Sequence, residues 1–139
     1  ACALNKFLNT RLYEAMPEQT KLILKQVTVP SSIGDASKDI STSECYITIP
    51  ALIEMSTSTS YNIEPYISEM AIASGKTISY MTSNAMRQRG YDGGAFAQYW
   101  LRSPSVSYNR YVFSIESDGY VDGYEYPHYN YGVLIEISF

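Results

Sequence analysis

The chain has 139 residues, a hydrophobic content of 45% and a formal net charge of −4. This length supports one domain, residues 1–139, with a core of its own. The negative charge and the scattered Lys and Arg residues argue against nucleic acid as a partner, and no apolar run approaches the roughly 20 residues that span a bilayer, so no direct membrane insertion is expected.

Two amphipathic helices are predicted at the start of the chain. Apolar residues recur every three to four positions over Leu4 to Met16, which predicts a helix that ends before Pro17. A second helix is predicted over Glu18 to about Gln26, with Leu22 and Ile23 facing inward and its lysines facing solvent. We expect these two helices to pack together.

The middle of the chain is predicted to alternate between loops and short elements. Pro30 to Ser43 offers little to bury and is predicted to be an exposed loop. A short strand is predicted over Cys45 to Ile49, and Pro50 is predicted to open a helical turn over Ala51 to Met55. Thr82 to Arg89 is compatible with a short helix that a Thr or Ser caps.

The segment Tyr99 to Pro104 contains the single Trp of the chain, beside a Leu and an Arg. Trp100 and Leu101 are predicted to be core residues. Arg102 is predicted to tie the sheet to a loop through hydrogen bonds to carbonyls or to a carboxylate. We assign structural roles to these three residues and to Gly132, and a ligand-binding role for Trp100 and Arg102 is the alternative.

Alternating residues predict two strands near the C-terminus, over Arg110 to Glu116 and over Gly132 to Phe139. A turn over Ser117 to Gly119 predicts a hairpin from Tyr108 to Asp122. Tyr124 to Tyr131, which contains a proline, is predicted to be a loop. The inward face of the last strand is predicted to consist of Val133, Ile135, Ile137 and Phe139. Helices first and strands last predict an α+β fold with an antiparallel sheet.

Tyrosines dominate the tail and alternate there with Ser, Asn and Asp. Aromatic rings with polar tips, set among small polar residues, are typical of a contact surface. We therefore predict a ligand-binding surface that consists of Tyr108, Asn109, Tyr111, Tyr120, Asp122, Tyr124, Tyr126, His128, Tyr129 and Asn130. The residues expected to be largely exposed on one connected surface are Tyr111, Tyr120, Tyr124, Tyr126 and Tyr129.

The tail also holds residues that a catalytic or metal site would need. His128 is the only histidine and has no Cys nearby, which favours a contact role over nucleophilic catalysis. The carboxylate pairs Asp118 with Asp122 and Glu116 with Glu125 are compatible with glycoside hydrolysis or Ca²⁺ binding, but a solvated turn is favoured. We expect no enzyme, no metal and no cofactor. A carbohydrate-active enzyme that uses these carboxylates is the alternative.

The two cysteines, Cys2 and Cys45, lack the spacing of a metal site or a redox motif. Two buried free thiols are favoured, and one disulfide bridge is the alternative. The chain starts at Ala1 without a Met and within the first predicted helix. We therefore expect it to be the C-terminal part of a longer protein.

Segments along nearly the whole chain resemble, in the same order, those of an uncharacterised domain family. The most specific is Tyr99-Trp100-Leu101-Arg102-Ser103-Pro104, because a Trp-Leu-Arg-Ser-Pro segment is the hallmark of that family. The weaker ones are Ala3 to Asn9, Ile47 to Pro50 followed by Glu54, Asp118-Gly119 and Tyr131-Gly132-Val133. The family closes on Gly-Val-Arg-Pro, whereas in this chain Leu134-Ile135 follows Gly132-Val133.

That family occurs in surface proteins of gut Firmicutes and in their phages, so the resemblance implies an extracellular location on a bacterial cell surface or a phage virion. The family is similar in layout to the C-type-lectin-like fold shared by formylglycine-generating enzymes and by the variable proteins of diversity-generating retroelements. The resemblance thus implies a C-type-lectin-like α+β fold, with N-terminal helices followed by an antiparallel sheet with long loops. It also implies a variable tail that recognises a protein or a glycan.

Overall fold

A computed structural model of the chain describes residues 3–33, 39–55, 81, 83–90, 94–105 and 110–139. Of the residues that the sequence analysis names, Ala1, Cys2, Thr82, Tyr108 and Asn109 lie outside these ranges. The described chain is a mixed α+β structure, in which short N-terminal helices precede antiparallel sheets. No helix within these ranges is long and apolar enough to cross a membrane.

The helices and strands are short. The helices are α1 (Ala3–Phe7), α2 (Tyr13–Ala15), α3 (Glu18–Ile23), α4 (Leu52–Met55) and α5 (Asn84–Arg87), and a π-helical turn (Leu8–Leu12) joins α1 to α2. The strands are β1 (Val27–Ser32), β2 (Ile40–Cys45), β3 (Ile47–Thr48), β4 (Tyr99–Pro104), β5 (Val112–Ile115), β6 (Val121–Glu125), β7 (Gly132–Val133) and β8 (Glu136–Ile137).

The first predicted helix is confirmed, and its π-helical turn fixes it to β3. Leu8 is buried on its inner face, whereas Phe7 is exposed. Asn9 lies in the π-helical turn, and its Oδ1 accepts hydrogen bonds from the N–H groups of Tyr46 (2.7 Å) and Ile47 (3.0 Å). Its Nδ2 donates to the carbonyl of Ile47 (2.7 Å). The Asn9 amide therefore takes the place of a neighbouring strand for this stretch of backbone.

The second predicted helix is shorter than expected, and the prediction of which residues face inward is wrong. The helix α3 ends at Ile23, Leu22 is 85% exposed, and Ile23 is exposed as well. The next residue, Leu24, is extended and buried instead. The N–H of Lys25 then donates to the carbonyl of Ser138 (2.9 Å), so backbone pairing with the end of the chain replaces the next helical turn.

The prediction of a loop over Pro30 to Ser43 is wrong at both ends of this range, because they belong to a two-stranded antiparallel ribbon, and residues 34–38 between them lie outside the described residues. Strands β1 and β2 pair without a break from Val27 opposite Cys45 to Ser32 opposite Ile40. The polar composition of these residues does not predict their strands, because backbone hydrogen bonds between strands do not depend on apolar side chains. At one end of the ribbon the side chains of Val29 and Cys45 are nevertheless buried.

A four-stranded sheet, in the order β6-β5-β4-β7, divides the interior in two. Successive side chains of β4 point to opposite faces, so Leu101 joins one hydrophobic cluster with Phe113 and Ile115, and Trp100 joins the other with Leu8 and Ile47. The predicted burial of Trp100 and Leu101 is confirmed, at 9% and 1% exposure. The pairing of β4 with β7 is parallel, so this sheet is not wholly antiparallel.

The predicted hairpin is confirmed as β5 and β6. Its turn requires Gly119, which has a φ of 83° and whose hypothetical Cβ would lie 1.8 Å from the carbonyl oxygen of Asn84. Asp118 supports the same turn by accepting a hydrogen bond from the N–H of Tyr120 (2.8 Å). The loop predicted from Tyr124 begins two residues later, because β6 continues through Glu125.

The predicted last strand is divided between two sheets. Strand β7 pairs with β4, and strand β8 pairs antiparallel with β3, with Ile137 opposite Ile47. The chain crosses between these sheets at residues 134–135, which interrupts the alternation of inward and outward side chains. Ile135 and Phe139 are therefore exposed and are not core residues, contrary to the prediction.

Two smaller predictions concern Cys45 and the cap of α5. Cys45 is buried, as predicted, and its Sγ lies 3.4 Å from the Oδ1 of Asn5. Ser83 is the cap of α5, and its Oγ accepts a hydrogen bond from the N–H of Met86 (3.4 Å). Both observations agree with the sequence analysis.

Candidate functional site

The C-terminal tail brings five aromatic side chains into one group, the tyrosine cluster, which consists of Tyr111, Tyr124, Tyr126, His128 and Tyr129. Tyr111 makes edge-to-face contacts with Tyr126 (centroids 4.9 Å apart) and Tyr124 (5.7 Å). Tyr126 contacts His128 (5.5 Å) and Tyr129 (6.1 Å), and the last two rings lie 4.8 Å apart. Each ring of the cluster thus contacts at least one other.

Most of the cluster is open to solvent. Tyr124, Tyr126, His128 and Tyr129 are exposed, and Tyr111 is half-buried between them and the sheet. The predicted exposure on one connected surface is confirmed for Tyr124, Tyr126 and Tyr129, whereas Tyr111 is not largely exposed, contrary to the prediction. Asn130 is exposed beside them. Tyr120 is 48% exposed, but it lies at the hairpin turn, and among the described residues no ring contact joins it to the cluster.

Two local features of the backbone assemble the cluster. Val112 pairs with Glu125 and Ser114 with Asp122, so Phe113 lies opposite two residues, 123 and 124, which form a β-bulge. Beyond β6 the chain turns back, and the N–H of Tyr129 donates to the carbonyl of Tyr126 (3.1 Å). The bulge re-aims the side chain at position 124, and the turn brings positions 126 and 129 together.

Tyr131 joins the tyrosine cluster to the core. Its ring lies 5.7 Å from the ring of Tyr129 on one side and 4.6 Å from that of Trp100 on the other. Its hydroxyl donates a hydrogen bond to the Oε2 of Glu125 (2.9 Å). Burial raises the pKa of Tyr131 well above its ordinary value, and the neighbouring Glu125 carboxylate raises it further. Aromatic contacts therefore run without a break from the surface to Trp100.

The β-bulge also collects three carboxylates on one face of the hairpin. Carboxylate oxygens of Glu116, Asp122 and Glu125 lie within 4.8 Å of one another. Burial raises the pKa of Glu116, the hydrogen bond from Ser114 lowers it, and the neighbouring carboxylates raise it again. Asp118 lies in the turn instead, so the pairing of Asp118 with Asp122 is not supported.

All three carboxylates accept hydrogen bonds from the protein. Glu116 accepts from the Oγ of Ser114 (3.2 Å) and from the Nε2 of Gln98. Asp122 accepts from the N–H of Tyr124 (2.9 Å), and Glu125 accepts from Tyr131. These hydrogen bonds hold the tail against the sheet.

Arg102 has the structural role that the sequence predicts, and Glu54 is its main partner. Its Nη1 donates to the carbonyl of Ile49 (2.7 Å) and to Glu54 (2.7 Å), and its Nη2 donates to the second oxygen of Glu54 (3.1 Å). Its Nε donates to the carbonyl of Pro30 (3.3 Å). The carboxylate of Glu136 lies 3.7 Å away. One guanidinium therefore connects four segments of the chain.

Sequence reasoning missed Glu54 as the partner of this arginine. Glu54 is 1% exposed and also accepts a hydrogen bond from the N–H of Ala51 (2.7 Å). A carboxylate shortly after Pro50, in an otherwise apolar turn, was the available indication, because a buried carboxylate requires a cation. Ser103 completes the segment by accepting a hydrogen bond from the N–H of Leu52 (2.8 Å).

The other residue with a predicted structural role, Gly132, aligns the tail with β4. It pairs with Tyr99 in the parallel ladder, and its N–H donates to the carbonyl of Gln98 (2.8 Å). Because Trp100 pairs with Val133 in the next position, this alignment sets Tyr131 beside the indole.

A second concave feature lies behind Tyr131. This serine-lined cleft has a volume of about 640 Å³ and is bounded by the first helix, the β1–β2 ribbon, β4 and the tail. Trp100 and Tyr131 line one part of it, and Ser31 and Ser43 of the ribbon line another part. The sequence analysis missed this cleft because it predicted a loop where the ribbon lies.

Comparison with known proteins places the chain in a family. Residues 1–134 match the family model described as Domain of unknown function (DUF6273). No curated protein and no solved structure matches the chain. The match spans all but the last five residues of the 139-residue chain. The protein therefore belongs to the DUF6273 family.

Proposed function

We propose that this domain is a ligand-binding module with a C-type-lectin-like scaffold, which recognises a protein or a glycan through the tyrosine cluster. The single observation that carries this proposal is the continuity of the exposed rings, from Tyr124 to Tyr129, with one another. In the same proposal the domain acts outside the cell, on a bacterial surface or a phage virion.

The contacts within the cluster favour binding on physical grounds. Tyrosine supplies a large amphipathic contact area at a low cost in side-chain entropy. Rings that already pack edge-to-face lose still less freedom when a ligand arrives, and a preorganised surface binds more tightly. The contact of Tyr131 with Trp100 connects the cluster to the core, which keeps it rigid.

The polar groups of the cluster supply specificity. The hydroxyls of Tyr111 and Tyr126 lie 3.4 Å apart, and His128 and Asn130 are exposed beside them. Such groups accept and donate hydrogen bonds without adding net charge, so the surface suits neutral or mixed-charge ligands. This property suits a protein or a glycan as the partner. It does not suit nucleic acid, whose phosphates require a basic surface.

A variable tail is part of the proposal. The exposed positions carry Asn, Tyr and His, and the adenine-directed mutagenesis of retroelement variable proteins converts Asn codons to Tyr and His codons. Sequencing of the flanking DNA tests this part directly. A near-copy of the tail's coding sequence beside a reverse-transcriptase gene is the expected result, and a locus with neither feature would contradict variability but not binding.

The alternative, a carbohydrate-active enzyme, requires the carboxylates of Glu116, Asp122 and Glu125. Each of them already accepts a hydrogen bond from the protein, which favours a structural role. Incubation of the domain with neutral polysaccharides, followed by reducing-end detection, separates the two functions. Release of new reducing ends, abolished in Glu116→Gln, would favour the enzyme.

Binding is tested with the fluorescently labelled domain on a panel of intact gut bacteria and on a glycan array. The test variant is Tyr124→Ser/Tyr126→Ser/Tyr129→Ser, and the control is Tyr120→Ser, an equally exposed tyrosine outside the cluster. We expect the triple variant to lose at least about tenfold in affinity for at least one target of the wild type, whereas the control keeps that affinity. Equal binding by wild type and triple variant would refute the proposal.

A further inference from the structure

The serine-lined cleft is separate from the tyrosine cluster, although both touch Tyr131. Its volume of about 640 Å³ falls within the range of roughly 300–1,000 Å³ that small-molecule sites occupy. Its walls differ in chemistry, and this difference indicates the class of ligand.

One wall presents hydroxyl groups because of the strand register. Ser31 pairs with Ser41 and Val29 pairs with Ser43, so these four residues lie on the same face of the β1–β2 ribbon and line the cleft. Ser31 and Ser43 are half-buried, and neither side-chain hydroxyl forms a hydrogen bond with another described residue. These two hydroxyls are therefore available to a ligand.

Another wall of the cleft is aromatic and aliphatic. It contains Trp100 and Tyr131, whose rings lie 4.6 Å apart, together with Leu4 and Val133. This wall offers apolar surface to the C–H groups of a ligand, and burying that surface is favourable.

The cleft contributes almost no net charge. Among the described residues that line it, Arg102 is the only charged one, and its guanidinium is paired with Glu54 at 2.7 Å. A charged ligand would be desolvated there without finding a free counter-ion, which is costly. The lining therefore selects against anions and cations alike.

We propose that the serine-lined cleft binds a neutral oligosaccharide. A neutral sugar has both a hydroxyl edge, which the hydroxyls of Ser31 and Ser43 match, and a C–H face, which the wall of Trp100 and Tyr131 matches. This site is distinct from the tyrosine cluster, and it gives the domain a second ligand whose binding does not depend on the first.

The experiment uses the natural reporter of the cleft, because Trp100 is the only tryptophan of the chain. The domain is titrated with maltotriose, cellotriose, xylotriose and N-acetylchitotriose, and in parallel with 1-octanol as a neutral apolar probe. We expect at least one trisaccharide to change the tryptophan fluorescence saturably, with calorimetry giving the same Kd, and 1-octanol to have no effect.

The test variant is Ser31→Ala/Ser43→Ala, which removes the two available hydroxyls. The matched control is Thr42→Ala, which lies on the same strand as Ser43 but on the opposite face of the ribbon, where it is exposed. We expect the double variant to lose at least about tenfold in affinity for the trisaccharide and the control to keep wild-type affinity. Circular dichroism melts establish that both variants are folded.

Three results would overturn the proposal: no saturable response to any of the four trisaccharides, saturable binding of 1-octanol alone, or wild-type affinity in the double variant. A different result would refute binding through the tyrosine cluster, namely equal recognition of the targets by the wild type and the triple Ser variant. Tyr124→Ser/Tyr126→Ser/Tyr129→Ser should bind the trisaccharide like the wild type, so loss of target recognition in that variant does not bear on the cleft.

Discussion

Arg102 and Glu54 form a two-pronged ion pair in the interior, with Nη1 2.7 Å from Oε2 and Nη2 3.1 Å from Oε1. The two residues come from β4 and from α4, 48 positions apart in the chain. The arginine also donates to the carbonyl oxygens of Ile49 and Pro30. The sheet, the short helix and the ribbon therefore depend on one guanidinium for their relative placement.

Arg102→Leu should lower the free energy of unfolding by about 3–5 kcal/mol, because it leaves the carboxylate of Glu54 buried without its partner. Arg102→Lys should recover part of this loss, since an ammonium cannot form both prongs of the pair. Urea unfolding measures both. The control is Glu18→Gln at the exposed pair with Lys21, where a change within about 1 kcal/mol is expected. A similar effect at both pairs would contradict this account.

Glu136 should make stability fall as the pH rises toward neutrality. Burial raises the pKa of this carboxyl group to about 7, and the charge of Glu54 raises it too, whereas Arg102 lowers it. Between about 4.5 and 7 the folded protein holds a proton at Glu136 that the unfolded chain has released, so stability decreases as the pH rises through this window.

Glu136→Gln should therefore be more stable than the wild type above pH 7, by on the order of 1–3 kcal/mol. The two proteins should become similar toward pH 4.5. Urea unfolding at half-unit pH steps gives the two curves, and Glu14→Gln, an exposed carboxylate, controls for the loss of one charge. A constant difference across the whole range would mean that Glu136 does not titrate as described.

Tyr131→Phe separates the two contacts of this residue. The substitution keeps the ring beside Trp100 but removes the hydroxyl that donates to Glu125, and we expect it to cost about 1–2 kcal/mol. Tyr131→Ala should cost more, because the ring is lost as well. Thermal and urea melts measure the losses, with Tyr120→Phe in the exposed turn as the control. Equal stability of Tyr131→Phe and the wild type would show that the hydroxyl contributes nothing.

The tyrosine cluster should tolerate substitution. Tyr124, Tyr126 and Tyr129 are exposed, and exposed substitutions usually change stability by about 0.5 kcal/mol or less. The triple Ser variant should therefore remain folded with a moderately lower Tm in circular dichroism melts. Unfolding of this variant would identify the cluster as part of the core.

Trp100→Ala, in contrast, should strongly destabilise the fold. We expect the free energy of unfolding to fall by roughly 3–5 kcal/mol, because the substitution removes a large side chain from one hydrophobic cluster. Replacing Trp100, Leu101 and Val133 together with Ser should unfold the domain. Ile135 does not belong in this set, since it is exposed. An unchanged melting temperature for Trp100→Ala would contradict its assignment to the core.

Local features of the structure were predictable because short-range physics decides them. The turn at Asp118-Gly119 needs a residue that accepts a positive φ, and the alternation over Arg110 to Glu116 predicts the strand β5. The exposure of Tyr124 and Tyr126 follows from polar neighbours that have nothing to bury. The chemistry of an arginine predicted the kind of partner for Arg102, although not which residue it would be.

The rest depended on which segments meet in three dimensions. The hydroxyl-rich ribbon exists because β1 and β2 pair through their backbones, and Leu22 is exposed because the chain after α3 pairs with the C-terminal end instead of continuing the helix. A β-bulge moved Asp122 and Glu125 to one face, against the period of two that the sequence suggests. Sequence periodicity therefore determined which residues of this protein favour burial within each segment, whereas long-range pairing determined where the segments meet, because contacts between distant segments leave no local pattern in the chain.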